Sequence, residues 1–351
     1  MLVFLFLISY SSALTCPSYS CKTQAYSFQP QQCIYYQSNH YYLNPCQSKV
    51  VPFCQPTLGL SNITCVNTPK PQLIGISLPG EMCTNDLSCD SGVCDNGICN
   101  SLNYLGNCTI HDECNPGLYC SAGMCIFQLQ VGQQGCTSDY MCINSAGCLL
   151  NTNGVGVCKP YYSIAAGTQI PSCTNNVNLL CSSGLCGTKA GVAYCAQSVA
   201  SSTALPMACQ TNADCVSKAD SSLGITFNSV CQCSYSPKGT AYCGLFPGDS
   251  AYAQYITSLK AWYTSNYPGL CNTVRRSHPQ CIKTYLSAQN ANQLILSQNY
   301  IASYSQIQQN DNCTQYVYNQ NYWQLYREVN NPPHDSSARY VLISFLLILF
   351  I

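Results

Sequence analysis

Cysteine is the residue type in this chain whose number and spacing could do chemistry: 30 of the 351 residues carry a thiol. Thiols ligate metal, exchange in redox sites or close disulfides. Zinc ribbons and dithiol redox sites use Cys-x-x-Cys, because two intervening residues let both sulfurs turn toward one ion or one partner. No two cysteines here stand at that spacing. The closest pair, Cys231 and Cys233, is too tight to bridge without strain, so each is expected to reach a distant partner. An even count at the level of disulfide scaffolds points to structural bridges made in an oxidising compartment.

Other reactive groups are sparse. The four histidines are His40, His111, His278 and His334. His111 stands beside Asp112, Glu113 and Cys114, but adjacent side chains point in different directions and an oxidised cysteine ligates nothing, so a solvent-facing turn is the expectation. Gly-x-Ser-x-Gly, His-Glu-x-x-His and phosphate-binding glycine loops are absent, which leaves hydrolase and nucleotide readings without a motif. Neither an enzyme activity nor a metal or other cofactor is expected. The dibasic pair Arg275-Arg276 reads as an exposed, uncut loop between Cys271 and Cys281. Tyrosine, at 27 residues, supplies ring area with a hydrogen-bonding tip; Tyr35-Tyr36, Tyr41-Tyr42 and Tyr161-Tyr162 could line a surface for a protein or glycan.

Only 7% of the residues are charged, and 13 acidic groups balance 13 basic ones, so no basic face offers itself to nucleic acid. Solubility falls to uncharged polar side chains and to any glycans on the sequons at Asn62, Asn107 and Asn312. Residues 1–13 read as a secretory signal, apolar from Leu2 to Ile8, with Ser11 and Ala13 placed for a cut before Leu14. At the other end Val341 to Ile351 is apolar. As a helix it would reach about 16 Å, half of a bilayer core of about 30 Å. A tail too short to cross, preceded by the small triplet Ser336, Ser337 and Ala338, resembles a glycosylphosphatidylinositol (GPI) signal over residues 336–351, with Ser336 the expected attachment site. Asn330 or Asn331 would lengthen the two-residue spacer formed by Arg339 and Tyr340.

The elements that would position these cysteines follow from their spacing. Six, at 16, 21, 33, 46, 54 and 65, define an N-terminal module over residues 14–65, and residues 66–82, with three prolines and no cysteine, read as an extended connector. Over residues 83–243 a four-cysteine unit recurs: Cys83, Cys89, Cys94, Cys99 (83–99); Cys108, Cys114, Cys120, Cys125 (108–125); Cys136, Cys142, Cys148, Cys158 (136–158); Cys173, Cys181, Cys186, Cys195 (173–195); and Cys209, Cys215, Cys231, Cys243 with the additional Cys233 (209–243). Recurrence at this period predicts a tandem array, and units this short need covalent staples to offset conformational entropy. Four cysteines allow three pairings, and spacing does not choose among them. Gly92, Gly97, Gly117, Gly123, Gly147 and Gly184 precede third or fourth cysteines, where tight turns need positive φ.

Residues 244–335 change character. After Pro247-Gly248-Asp249-Ser250, the apolar positions Tyr252, Tyr255, Ile256, Leu259, Trp262 and Tyr263 follow helical spacing and stop at Tyr267-Pro268-Gly269. Leu296, Tyr300, Tyr304 and Ile307 mark a second helix. Cys271, Cys281 and Cys313 leave one odd cysteine, expected to pair back to the fifth unit. The fold class is therefore small and disulfide-rich: a tandem array of short β-hairpin and turn modules with a C-terminal α-helical domain.

The second unit reads Cys108-Thr-Ile-His-Asp-Glu-Cys114-Asn-Pro-Gly-Leu-Tyr-Cys120-Ser-Ala-Gly-Met-Cys125, and the first keeps Cys83, Asn85-Asp86, Cys89, Gly92 and Cys94 in that pattern. The acidic pair before the second cysteine and Gly-Leu-Tyr-Cys after it resemble the Dickkopf N-terminal cysteine-rich domain, over roughly residues 80–245 and without its adjacent Cys-Cys pair. With both terminal signals, the whole chain is similar to the GPI-anchored cysteine-rich surface proteins of protozoa. That resemblance implies a coat, antigen or adhesion protein on the outer face of the plasma membrane. The Dickkopf resemblance implies, as the alternative, a secreted or surface module that recognises one protein or glycan. The sequence leaves that ligand, and the oligomeric state, open.

Overall fold

The computed structural model describes residues 13–21, 32–37, 40–45, 77–151, 153–173, 177–197, 205–220, 224–310, 314–316 and 320–330. Among them the fold is disulfide-rich, built of small antiparallel hairpins followed by a C-terminal helical region.

In five consecutive stretches the first cysteine bonds the third and the second bonds the fourth. The pairs are Cys83–Cys94 and Cys89–Cys99, Cys108–Cys120 and Cys114–Cys125, Cys136–Cys148 and Cys142–Cys158, Cys173–Cys186 and Cys181–Cys195, and Cys209–Cys231 and Cys215–Cys243. The third and fourth cysteines are always direct cross-strand neighbours on a hairpin, as Cys94 is to Cys99 and Cys231 to Cys243. Neighbours of that kind point to one face of the ribbon, so both sulfurs leave the same side and meet the two cysteines of the preceding turn. A bridge closing a loop of about 15 residues is worth roughly 3 kcal/mol in the chain-entropy model, which is how units with few buried side chains stay folded.

The polar residues between the cysteines have recurring structural tasks. A short 3-10 turn lies before or around the second cysteine, and in four units its first residue accepts the amide of the third cysteine. The acceptors are Asp86 for Cys94 (2.8 Å), His111 for Cys120 (3.2 Å), Asp139 for Cys148 (2.7 Å) and Asn212 for Cys231 (2.8 Å). The turn's last residue reaches back to its start: Ser88 accepts from the Thr84 and Asn85 amides, Glu113 from Thr109 and Ile110, and Asp214 from Gln210 and Thr211. Met141 sulfur receives the Thr137 amide in the third unit. These are capping-box contacts that satisfy amides a short turn leaves orphaned. Of the glycines placed in turns, Gly92, Gly97, Gly117, Gly123 and Gly184 have positive φ. Gly147 does not; it lies in the strand Ala146–Leu150, where a Cβ would come within 2.7 Å of the Tyr161 ring and 3.0 Å of Asp139.

The first four units also take up chain upstream of their first cysteine. Ser77 bridges Cys89, Leu102 bridges Cys114, Leu129 bridges Cys142 and Ile164 bridges Cys181, all in parallel. The last residues of the proline-containing stretch thus belong to the first unit's packing, with Leu78 and Glu81 buried. Near the N-terminus, β1 (Ser18–Cys21) pairs in parallel with β3 (His40–Pro45), which pairs antiparallel with β2 (Gln32–Gln37). Cys16 bonds Cys233, and the Tyr19 amide donates to Ser236 oxygen, so this segment is fastened to the fifth unit 217 residues away.

The helices are α1 (Ser250–Thr264), α2 (Pro279–Tyr285), α3 (Ala288–Ile307) and α4 (Gln320–Asn330). The spacing that ends at Tyr267-Pro268-Gly269 marks α1, and the Leu296 to Ile307 spacing lies on α3. Helices and cystine units share one core: Leu259, Trp262, Ile282 and Leu294 pack in the same cluster as Tyr161, Leu180, Cys181 and Cys195. Cys271 bonds Cys281. The expectation that the odd cysteine returns to the fifth unit fails, because all five sulfurs there are bonded elsewhere, Cys233 to Cys16. No helix among the described residues is long and apolar enough to cross a membrane.

Candidate functional site: a tyrosine-walled cleft beside a buried arginine

The segment from Tyr267 to Ser277 joins α1 to α2 and is wedged against the first three units. It contains two 3-10 turns, and the Cys271–Cys281 bridge ties it to α2. Its side chains cap carbonyls that short turns leave open. Asn272 Nδ2 donates to the His111, Asp112 and Cys114 oxygens at 2.9–3.2 Å, all in the second unit. Thr273 Oγ1 donates to Tyr140 oxygen at 3.0 Å in the third. In the reverse direction Asn144 Nδ2 donates to the Pro268 and Cys271 oxygens at 2.8 and 2.7 Å. Gln128, buried, links Cys142 oxygen and Asn144 to Thr273.

Arg276 is buried at the centre, and all five of its N–H groups are engaged. Nε donates to Thr273 oxygen, the Nη1 amine to Ala146 oxygen and the Tyr161 hydroxyl, and the Nη2 amine to Asp139 oxygen and Thr273 Oγ1, over 2.7–3.1 Å. The Trp262 indole N–H donates to Arg276 oxygen at 2.8 Å, which ties α1 to the same point. The dibasic pair is therefore no exposed loop. Its other member, Arg275, pairs with the buried Glu81 of the first unit at 3.1 Å, with His278 3.8 Å from the other carboxylate oxygen. Burial raises the Glu81 carboxyl above its ordinary value, partly offset by the Leu78 amide and Arg275; burial and Arg275 lower His278.

Beside Arg276 a cleft of about 630 Å³ opens between the third and fourth units and α1. Its wall runs from the exposed Tyr140 past Tyr252 and Tyr255 to the buried Tyr161 and Tyr263, with Asn178 on the fourth unit. Burial, reinforced by the neighbouring phenols, pushes Tyr255 up to about 12, and burial raises Tyr161, Tyr252 and Tyr263 as well. At physiological pH these phenols are neutral donors. The two charged residues of the wall are occupied: Arg276 as above, and Asp139 by the Cys148 amide and, at 3.5 Å, the Tyr161 hydroxyl. Ring faces, hydroxyls and an amide remain, which is equipment for recognition more than for proton transfer.

The residues that the sequence singles out lie mostly elsewhere. His111 accepts the Cys120 amide, Glu113 caps a turn, and Cys114 is in a disulfide, so their proximity is architectural. Three sulfurs of one unit lie within 4.8 Å of one another in four units because two bridges stack there. Asn107 is exposed on the second unit. Tyr161 and Tyr162 are both 6% exposed and belong to the core, which corrects their reading as surface residues. Tyr35 stands opposite Tyr42, and Tyr36 opposite Tyr41, on β2 and β3. Asn62, Asn312, Cys313 and Ser336 lie outside the described residues. Sequence reading missed Asn144, Asn272, Thr273 and Gln128, since neutral amides and hydroxyls are too common here to stand out. Arg276 carried one usable signal: in a chain with 7% charged residues, each arginine is a candidate for a structural task.

No protein-family model, curated protein or solved structure matches the chain.

Proposed function

We propose that this is a non-catalytic coat, antigen or adhesion protein, exported, displayed on the outer face of the plasma membrane and held there by a C-terminal lipid. In this reading the cystine units form a tandem array resembling the Dickkopf N-terminal cysteine-rich domain, and the helical region lies nearest the membrane. The observation that carries the proposal is the state of the thiols: no cysteine whose side chain is described is free, and bridges of this density are made and kept in oxidising compartments. Crossed bridges, and a dibasic pair with Arg276 buried and Arg275 held in an ion pair, also suit a chain that must resist extracellular proteases.

Treating intact expressing cells with a phosphatidylinositol-specific phospholipase tests the anchor. The proposal expects release of the protein into the medium. Protein already free before treatment contradicts it and favours the second reading, a soluble or receptor module that recognises a protein. One observation speaks for that alternative: Tyr104 and Phe127 stack at 4.6 Å on the second unit while 51% and 64% exposed, the kind of aromatic patch that anchors interfaces.

A further inference from the structure

We propose that the cleft between the third unit, the fourth unit and α1 binds a short, neutral saccharide. The inference deepens the adhesion reading and rests on it for its biological sense, though not for its geometry. At about 630 Å³ the cleft falls within the roughly 300–1,000 Å³ of small-molecule sites. Its wall is rigid, being tied by the Cys136–Cys148 bridge, the Arg276 bonds and the packing of Ile256 on α1 against Gly184, where a Cβ would come within 2.9 Å.

The ligand class follows from which groups are still available. Anions find no cation to meet, because Arg276 has spent all five N–H groups on the protein. A divalent cation needs several oxygen ligands of suitable charge, and the single carboxylate in the wall, Asp139, already accepts from Cys148 and Tyr161. A wholly apolar ligand would strip water from Asn178 and from the tyrosine hydroxyls and leave them unpaired. Among the described residues, Asn178, Tyr252 and Tyr255 have no side-chain hydrogen-bond partner, whereas Asp139, Tyr161 and Arg276 in the same wall do. A pyranose matches that set: its C–H face lies on a phenol ring, and its hydroxyls both donate and accept, as phenol and amide groups require. Neutral phenols held far above physiological pH add no charge to repel or attract.

The test uses the full exported chain, with disulfides intact, on an array of neutral, acidic and sulfated oligosaccharides, followed by calorimetric titration of any neutral oligosaccharide retained. The proposal expects binding to neutral members, weakened at least tenfold by Asn178→Ala and by Tyr255→Ala, and unchanged by Tyr104→Ala on the second unit. Asn178→Ala removes only a half-buried amide, so it stays informative if Tyr255→Ala fails to fold. Failure of the folded wild type to bind any neutral oligosaccharide at millimolar concentration overturns the proposal. So does binding that Asn178→Ala leaves unchanged, or a preference for acidic glycans or peptides. Phospholipase release is scored separately, so an anchored protein without sugar binding refutes this inference alone, and a sugar-binding protein without an anchor refutes the anchor alone.

Discussion

At the scale of single residues, the polar groups of this chain are spent on carbonyls and amides that short turns cannot satisfy by themselves. Arg276 is the extreme case. Lysine has three N–H donors for the five acceptors that the guanidinium serves, and a buried unsatisfied acceptor costs roughly 1–3 kcal/mol. Arg276→Lys is expected to lose about 2–4 kcal/mol in denaturant unfolding with disulfides intact; a loss below about 0.5 kcal/mol would show that the fork geometry is unimportant. Glu113 is the second case, and it is pH-sensitive. The Thr109 amide and hydroxyl hold its carboxyl below the ordinary carboxylate value. A carboxyl depressed in the folded state contributes stability above its unfolded value, and that contribution is lost as pH falls through the folded value. Protection of the Thr109 and Ile110 amides against hydrogen exchange should therefore fall on acidification in the wild type and lose that dependence in Glu113→Gln. An unchanged acid profile in the variant would remove Glu113 from the account.

At the scale of the element, each unit is a turn, a hairpin and two crossed bridges, and one further backbone contact recurs. The residue that donates its amide to the fourth cysteine's carbonyl is Gly80, Leu105, Gly132 and Gly167 in the first four units, always at positive φ (+90°, +66°, +85° and +85°). Three units meet that geometry with glycine and the second meets it with leucine, a side chain that carries a steric cost there. Gly132 has open space around an added Cβ, so Gly132→Ala isolates the conformational cost. It should destabilise by roughly 1 kcal/mol in the same denaturant assay, whereas Leu105→Gly should lose nothing. The opposite order would contradict the requirement for a left-handed residue. The units, α1 and α3 are legible in the sequence because cysteine spacing and three-and-four periodicity survive in any context. The crossed pairing is not, since it depends on which strand neighbours share a face. Nor are α2, only seven residues long, and α4, whose composition is mostly polar.

At the scale of the whole molecule, the cystine units and the helices are one packed body among the described residues. The joining segment from Tyr267 to Ser277 touches the first three units through Glu81, Asn272, Asn144 and Arg276, α1 rests on the fourth, and α3 reaches the fifth through Ser305 to Gln232 at 2.9 Å. None of these contacts is visible in the spacing of the sequence, because each couples residues distant in the chain through neutral groups, one ion pair or the Arg276 guanidinium. The cleft was legible only as an abundance of tyrosine; the pair Tyr161-Tyr162 that suggested a surface lies in the core, and the exposed wall is made instead by Tyr140 with residues of α1. Central to this account is a chain locked by crossed disulfides, with its N-terminal segment fastened to the fifth unit by Cys16–Cys233. Proteolysis under non-reducing conditions of protein purified from expressing cells without reductant, with mass spectrometry of the linked peptides, tests it most directly. The account predicts first-to-third and second-to-fourth links in all five units, a Cys271–Cys281 link and a Cys16–Cys233 link. Free thiols at these positions, or nested links such as Cys83–Cys99 with Cys89–Cys94, would contradict it.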